Sequence, residues 1–441
     1  MKKLTVAAAA IFATAVLFAG GIDNKSNLNA GYLRNASRNT EHKRPEAVLY
    51  NIAGTGFMDD GLAFTVGNQF IFKKYTDDLE MNNTEYTDDK NVFFFPDFEA
   101  VYKKDNWAVF GGFGVFAGGG SLDYKDGNAA TYLALAGAAK NKFMEAYLVV
   151  NPSATPEQIA AFLQTKAGDI NAIAGNHSLD VYSVTMGEIL GGAYQLNENI
   201  SISAAGRFLH ATQDMTLTCA GIAASNGGSD LGYNAKGYGF GGIFGVNTKD
   251  LFLPGLYLSA QYQTITKMDM KFKDTTGGLA GQFGIVKDEK FHNDLPAVLS
   301  LGAGYYATED LYFSISYNHY FNTQANMQNP LGKADLEYKD SWEVGIGCDW
   351  QVAPKVGVSG GLMYSKQGTK DDLNSAFSPV LDSFVAGCGV EYQFTKQIMG
   401  TLAYMHCRYI NKDYEMSGKS MELDKDIYLA SLGVTVRPFA K

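Results

Sequence analysis

From Gly61 onward the chain repeats one pattern, a short segment of alternating apolar and polar residues closed by a polar turn. In "VGVSGGLMYS", Val356, Val358, Gly360, Leu362 and Tyr364 fall on one face, and Gly357, Ser359, Gly361, Met363 and Ser365 on the other. "ISISAAGRF" sets Ile200, Ile202, Ala204 and Phe208 opposite Ser201, Ser203, Ala205 and Arg207. A period of two with one apolar face is a strand that is polar on one side only. A soluble sandwich shows the same alternation, so the connections decide. Those at 103–106, 197–199, 307–310, 353–355 and 395–397 are short, whereas those at 74–90, 118–179, 214–235, 271–294, 367–380 and 411–424 are long. Short turns at one end and long loops at the other mark an antiparallel transmembrane β-barrel of the outer-membrane type, with the short end in the periplasm. The pattern predicts fourteen strands, from 61–73 to 425–438. The number is even, as a bacterial single-chain barrel requires.

Composition agrees with this all-β reading. Forty-nine Gly, 26 Tyr and 28 Phe stand against ten Pro, the balance of many strands with tight turns and aromatic girdles. A mean hydropathy of −0.12 fits a barrel, because lipid-facing and lumen-facing residues average out along each strand. The opening "MKKLTVAAAAIFATAVLFAGG" carries Lys2 and Lys3, an apolar run from Leu4 to Phe18 and small residues after it. This predicts a secretory signal over 1–20, and Gly21 stands where a lipid-anchored protein would need cysteine. No later stretch is apolar for long enough to form a transmembrane helix. Cys219, Cys348, Cys388 and Cys407 lie far apart without a C-x-x-C pair, which favours free thiols over disulfides. A net charge of −10 argues against nucleic acid as a partner.

Two segments break the strand pattern. Residues 21–60 precede the first strand, yet "EAVLYNIAGTGF" is too apolar for a linker. Val48, Leu49, Tyr50, Ile52 and Phe57 suit the inside of a barrel, where the segment would form either a static apolar cork or a movable plug. Within the barrel region, 61–441, the long extracellular loop 118–179 is rich in Ala and Leu over 128–173. "TPEQIAAFL" has a helix start, with Thr155 as N-cap and Pro156 at the first position. We expect two short amphipathic helices there.

The Asn51-Ile52-Ala53-Gly54 turn feeding into "GLAFTVGNQFIF", together with "YSVTMGEILGGAYQLNENISISAAGRF" and "NDLPAVLSLGAGYYATEDLYFSISYNHYF", resembles the long-chain fatty acid outer-membrane transporter family (FadL type). The family's turn is Asn-Pro-Ala, so Ile52 stands in place of the proline. The resemblance implies a fourteen-stranded barrel in the bacterial outer membrane, closed by an N-terminal hatch. It further implies passive, inward transport of hydrophobic molecules, and a kink in the third strand that opens the wall sideways. The large loop of well-known members follows the fifth strand rather than the third.

The expected gating and ligand residues are therefore Asn51, Ile52, Ala53 and Gly54 in the hatch turn. To these are added Gly111, Gly112 and Gly114, with Phe113 and Phe116, in "NWAVFGGFGVFAGGG", because glycine inside a strand weakens its ladder and marks kinks. The same glycines can instead simply make room for bulky neighbours. Arg207 has lumen parity and suits either a cargo carboxylate or a bridge to Glu188 or Glu391. Six scattered histidines show no metal spacing, and no catalytic group is suggested, His319 in "SYNHYF" being the best candidate. The expected partners are a fatty acid, hydrocarbon or detergent-like molecule and outer-membrane lipids, with no cofactor and a monomeric chain. The alternatives are an adhesive or structural surface barrel and a hydrophilic porin, which would line its constriction with charges of both signs.

Overall fold

The computed structural model describes residues 28–79, 84–219, 230–277, 280–368, 381–416 and 419–439. The signal segment 1–20 and residues 21–27 of the expected hatch lie outside these. Eighteen ladder segments form fourteen staves, because four staves are interrupted. They are β1 (Gly61–Leu79), β2 (Thr84–Asp88 and Pro96–Lys104), β3 (Trp107–Tyr124), β4 (His177–Asn197) and β5 (Ile200–Cys219). Next come β6 (Asp230–Lys249), β7 (Leu256–Gln263 and Asp269–Thr276), β8 (Lys290–His292 and Ala297–Thr308), β9 (Leu311–Phe321) and β10 (Ser341–Ala353). The last four are β11 (Val356–Lys366), β12 (Ser383–Gln393), β13 (Ile398–Tyr409 and Lys412–Met416) and β14 (Lys419–Val436). Each is antiparallel to the next, and β1 closes the cylinder on β14 from Phe64 opposite Val436 to Leu79 opposite Met421. Closure leaves no free sheet edge, the condition for strands to cross a bilayer.

Side-chain parity follows the alternation read from the sequence. Leu190, Phe240, Phe244, Ile346, Leu362, Phe384, Leu402 and Leu432 are exposed on the outer face. Ser201, Asn247, Glu343, Ser365 and Ser431 are buried inside. Tyr102, Trp107, Tyr194, Trp350, Tyr392 and Phe394 are exposed beside the short turns and make the periplasmic aromatic girdle.

The expected helical loop contains three helices rather than two. α1 (Ala129–Val150) is preceded by a capping box in which Asn128 and Thr131 bond reciprocally, and no proline interrupts it, so it runs for 22 residues. α2 (Pro156–Thr165) starts at the predicted Thr155 cap, and α3 (Ala167–Ala174) returns to β4. Only the first turns of α1, around Ala130, Tyr132 and Leu135, are buried on the barrel mouth, while Val149 and Val150 are exposed at its far end.

The chain before β1 folds into the lumen. Leu33, Val48, Leu49, Tyr50 and Ile52 are buried there and Phe57 is half-buried. What admits this segment is a set of inward-facing glycines. A Cβ at Gly389 would lie 2.5 Å from Arg34 Cβ, one at Gly361 2.8 Å from Asn35, one at Gly302 2.8 Å from Thr40, and one at Gly112 3.0 Å from Val48 Cγ1. These positions lack side chains because hatch residues, chiefly their side chains, occupy the space. Gly114, on the same face as Gly112, has nothing within 4 Å of such a Cβ. Gly112→Val is therefore expected to push against Val48 and unseat the hatch, raising ion conductance in planar bilayers, whereas Gly114→Val leaves conductance at the parent level.

Candidate functional site

The hatch is built from two single-turn helices, Ala30–Arg34 and Ala47–Tyr50, and a 3-10 stretch, Ile52–Phe57. Its predicted turn is pinned on both sides. Asn51 Nδ2 donates to the Glu41 carbonyl at 3.0 Å, and the Ile52 N–H donates to Gln261 Oε1 on β7 at 3.0 Å. Proline has no N–H, so the residue at the family's proline position makes a wall bond that proline cannot. Ile52 and Ala53 rest near Gly245 of β6, and the Gly54 N–H caps back to Asn51 O at 2.9 Å.

Charge holds the periplasmic half of the hatch, a feature that the apolar reading of the segment missed. Arg34 is fully buried and reaches Asp349 Oδ1 at 2.6 Å, Glu46 at 3.4 Å and Glu391 at 3.5 Å. Arg38 bonds Glu41 and the second oxygen of Asp349, each at 3.1 Å, and Arg44 pairs with Glu391. Asp349 on β10 and Glu391 on β12 thus receive the hatch arginines from the wall. Burial alone would raise the Glu41 carboxyl, but Arg38, Arg44 and Arg34 outweigh it and hold Glu41 well below the usual range. Burial dominates at Glu46, which is raised.

His42 sits in a tyrosine cage. Its ring stacks on Tyr257 with centroids 3.8 Å apart, and Tyr306 OH lies 3.3 Å from Nε2. Nδ1 faces the Thr40 carbonyl at 2.8 Å, so Nδ1 donates and the neutral ring accepts at Nε2. Burial pushes this imidazole down to about 4, with the pull of Glu41 too weak to restore it.

Above the hatch, apolar side chains pack together in the lumen, beside the buried Lys73, Asp77, Asp88 and Lys425. Phe272, Phe291, Met268, Met270, Met327 and Leu331 are fully buried there, with Tyr124, Leu179 and Leu423 from the staves. Arg207 points inward at this level, as parity predicted. It meets neither expected carboxylate: Glu391 belongs to the hatch arginines, and Glu188 has the outward parity and lies 3.7 Å from His210. Arg207 instead bonds Gln263 Oε1 at 2.6 Å and Thr266 Oγ1 at 2.7 Å, and its guanidinium stands 5.9 Å from the Phe116 ring.

The third strand is broken, but beyond the glycines named from the sequence. Gly111, Gly112 and Gly114 pair in unbroken register with Leu190, Ile189 and Gly187. Register slips between Val115 and Ala117 and again between Ala117 and Gly120, where Gly118 takes φ +80°. On the other side, the ladder from β2 to β3 ends at Phe98 opposite Phe113. Phe116 turns inward and is buried, Phe113 faces outward, and Phe93 and Phe94 are exposed on the adjoining part of β2. Lys73 closes the top of the break by bonding Asp88 and the Ser121 carbonyl. His319 lies between Tyr317 OH and Asp340, at 3.2 and 3.3 Å, with no serine in that contact set.

A lipid-facing barrel, a lumen closed by a bonded hatch and an apolar cluster above it define a hatch-closed outer-membrane barrel. Residues 163–427 match the family described as outer membrane protein transport protein (OMPP1/FadL/TodX), over half of the chain, and the protein belongs to that family of outer-membrane hydrophobic-compound transporters. The family consists of transport channels, not enzymes. The fold is shared with the Pseudomonas putida toluene transporter TodX (15% identity, TM-score 0.61, 91% of this chain and 97% of that one). It is shared also with a Pseudomonas aeruginosa FadL homologue (14%, 0.65, 95% and 100%) and the Ralstonia pickettii toluene transporter TbuX (13%, 0.58, 94% and 99%). No curated protein sequence matches the chain.

Asp349→Asn neutralises one of the three carboxylates that face each of the buried Arg34 and Arg38, which should cost about 3 kcal/mol. Faster trypsin cleavage within 34–44 of an otherwise intact barrel is the expected readout. His42 favours its neutral form in the folded chain, so its contribution is complete above the ordinary value of 6.5 and is lost as pH falls toward 4. At about pH 5 the loss is about 2 kcal/mol. Glu46 titrates in the opposite sense and softens this slope, but remains in His42→Gln, which should remove the loss of hatch protection between pH 6.5 and about 5, while the further loss at lower pH, from Glu41, should persist.

Proposed function

We propose that the protein passes small hydrophobic molecules, aromatic hydrocarbons or long-chain fatty acids, inward by diffusion and releases them sideways into the outer membrane between β2 and β3. It works without cofactor, as a monomer in lipid. The observation that carries this reading is the end of the β2–β3 ladder at Phe98 and Phe113, beside the register slip at Gly118. Backbone left unpaired toward lipid is costly, and a passage for apolar cargo is a use that repays it.

Other features fit the same route. An apolar groove of about 690 Å³ between the loop helices, with Met144, Ile159, Leu163 and Ile170 in its lining, offers a first docking place. The apolar cluster of the upper lumen follows, then Phe116 at the inner edge of the break. The hatch closes the straight path to the periplasm, which separates this reading from a hydrophilic porin. Two of the fold relatives are named as toluene transporters, and that supports a monoaromatic cargo. Arg207, polar-bonded beside Phe116 and without a carboxylate partner among the described residues, supports a cargo with a carboxylate.

Uptake of labelled toluene and of a labelled long-chain fatty acid by bacteria lacking their own transporter tests the proposal. A Cβ at Gly118 would overlap the Ser183 carbonyl, and valine resists this backbone conformation by about 1–2 kcal/mol. Gly118→Val should lower uptake of the preferred cargo about tenfold while the barrel still inserts. Unchanged uptake would discard lateral release. Arg207→Met should reduce fatty acid uptake alone if the cargo is a carboxylate, and spare both if it is a hydrocarbon. Uptake of neither molecule by the inserted parent barrel would move the reading to surface adhesion.

A further inference from the structure

A second site lies at the opposite end of the lumen from the apolar cluster. Between the hatch and the periplasmic rim is a cleft of about 260 Å³. Lys43 and Arg44 reach it from the hatch, Lys355 from the β10–β11 turn, Lys396 from the β12–β13 turn, and Arg437 from just beyond β14. Five cationic side chains therefore line a space whose one carboxylate is Glu391.

That carboxylate is already committed, since Arg44 pairs with it and Arg34 lies 3.5 Å away. The Lys355 and Lys396 side chains make no hydrogen bond or ion pair among the described residues. The Lys43 ammonium lies over the Tyr306 ring, 4.5 Å from its centroid. Arg437 donates to the Lys43 carbonyl at 2.7 Å, and its nearest carboxylate, Asp59, is 3.6 Å away with a side chain 92% exposed. Arg44 Nε is buried and has no partner among the described residues. Burial, followed by the Arg44 charge, lowers both Lys43 and Arg437. Converging like charges in a cleft oppose the closed arrangement, and guanidinium and ammonium groups together match oxyanion geometry.

We propose that this cleft binds a small oxyanion, a carboxylate or a phosphate, which bridges hatch and rim and stabilises the seated hatch. The inference is independent of which cargo crosses the barrel, since the cleft lies below the hatch and away from the β2–β3 break. Its test is calorimetric titration of the full chain in nonionic detergent with inorganic phosphate, repeated in the presence of octanoate. Saturable phosphate binding, weakened about tenfold in Lys355→Gln/Lys396→Gln but unaltered in Lys104→Gln at another short turn, is the expected result. Displacement by octanoate assigns the natural anion to carboxylates, and persistence of phosphate binding assigns it to phosphates. The bound anion should also slow trypsin cleavage of the hatch. Absence of saturation by either anion below about 10 mM, or equal binding in the double variant, which marks an adventitious ion only, overturns the proposal.

Discussion

Hydrocarbon offers no hydrogen-bond partner to a peptide group, so every stave must find both neighbours or leave costly groups exposed. Closure of β1 on β14 over 16 paired positions, from Phe64 to Leu79, meets this condition and creates the next one. A cylinder of fourteen staves has a lumen too wide for its own side chains to fill. The hatch supplies the missing filling, and the inward glycines are the positions where it lies closest. The wall departs from full pairing where β3 slips past Gly118, and that departure stands between two aromatic groups, Phe116 inside and Phe93 with Phe94 outside.

The way in which the hatch is held matters as much as its presence. An apolar cork would be stabilised by burial alone, without direction. This one is held by Arg34, Arg38 and Arg44 against Asp349 and Glu391, and buried ion pairs contribute little net stability while being expensive to split. Such pairs define one docked arrangement sharply. Glu41 and Glu46 complete the set from within the hatch, pairing with Arg38 and Arg34.

Strand periodicity was legible because a slip of one residue exchanges the lipid face for the lumen face, and all fourteen staves fall where alternation placed them. The helical loop was legible at Thr155 and Pro156 but not in its number of helices, since the capping box at Asn128 uses threonine rather than the usual acidic third residue. Gly111, Gly112 and Gly114 were ambiguous, because glycine in a strand signals either a kink or a close neighbour: Gly112 receives Val48, whereas Gly114 follows the end of the β2–β3 ladder at Phe113. The ion cluster left a trace: Arg34, Arg38, Glu41, Arg44 and Glu46 crowd one short segment, and Asp349 and Glu391 have lumen parity. Pairing the two sets would have required knowing that the segment enters the barrel.

One strand joins the hatch to the break. On β3, Gly112 receives Val48 of the hatch, and six residues later Gly118 carries the positive φ at which the ladder slips. Between them Gly114 has open space and Phe116 lies beside Arg207. A displaced Val48 would free the lumenal face of β3 just below the break, whereas its seated position buttresses the strand where pairing to β2 ends. A strand that loses its neighbour on one side depends on packing for its position. The contact at Gly112 is thus both part of the seat of the hatch and a support of the strand that forms the edge of the proposed exit, so the two elements need no longer-range connection to influence each other.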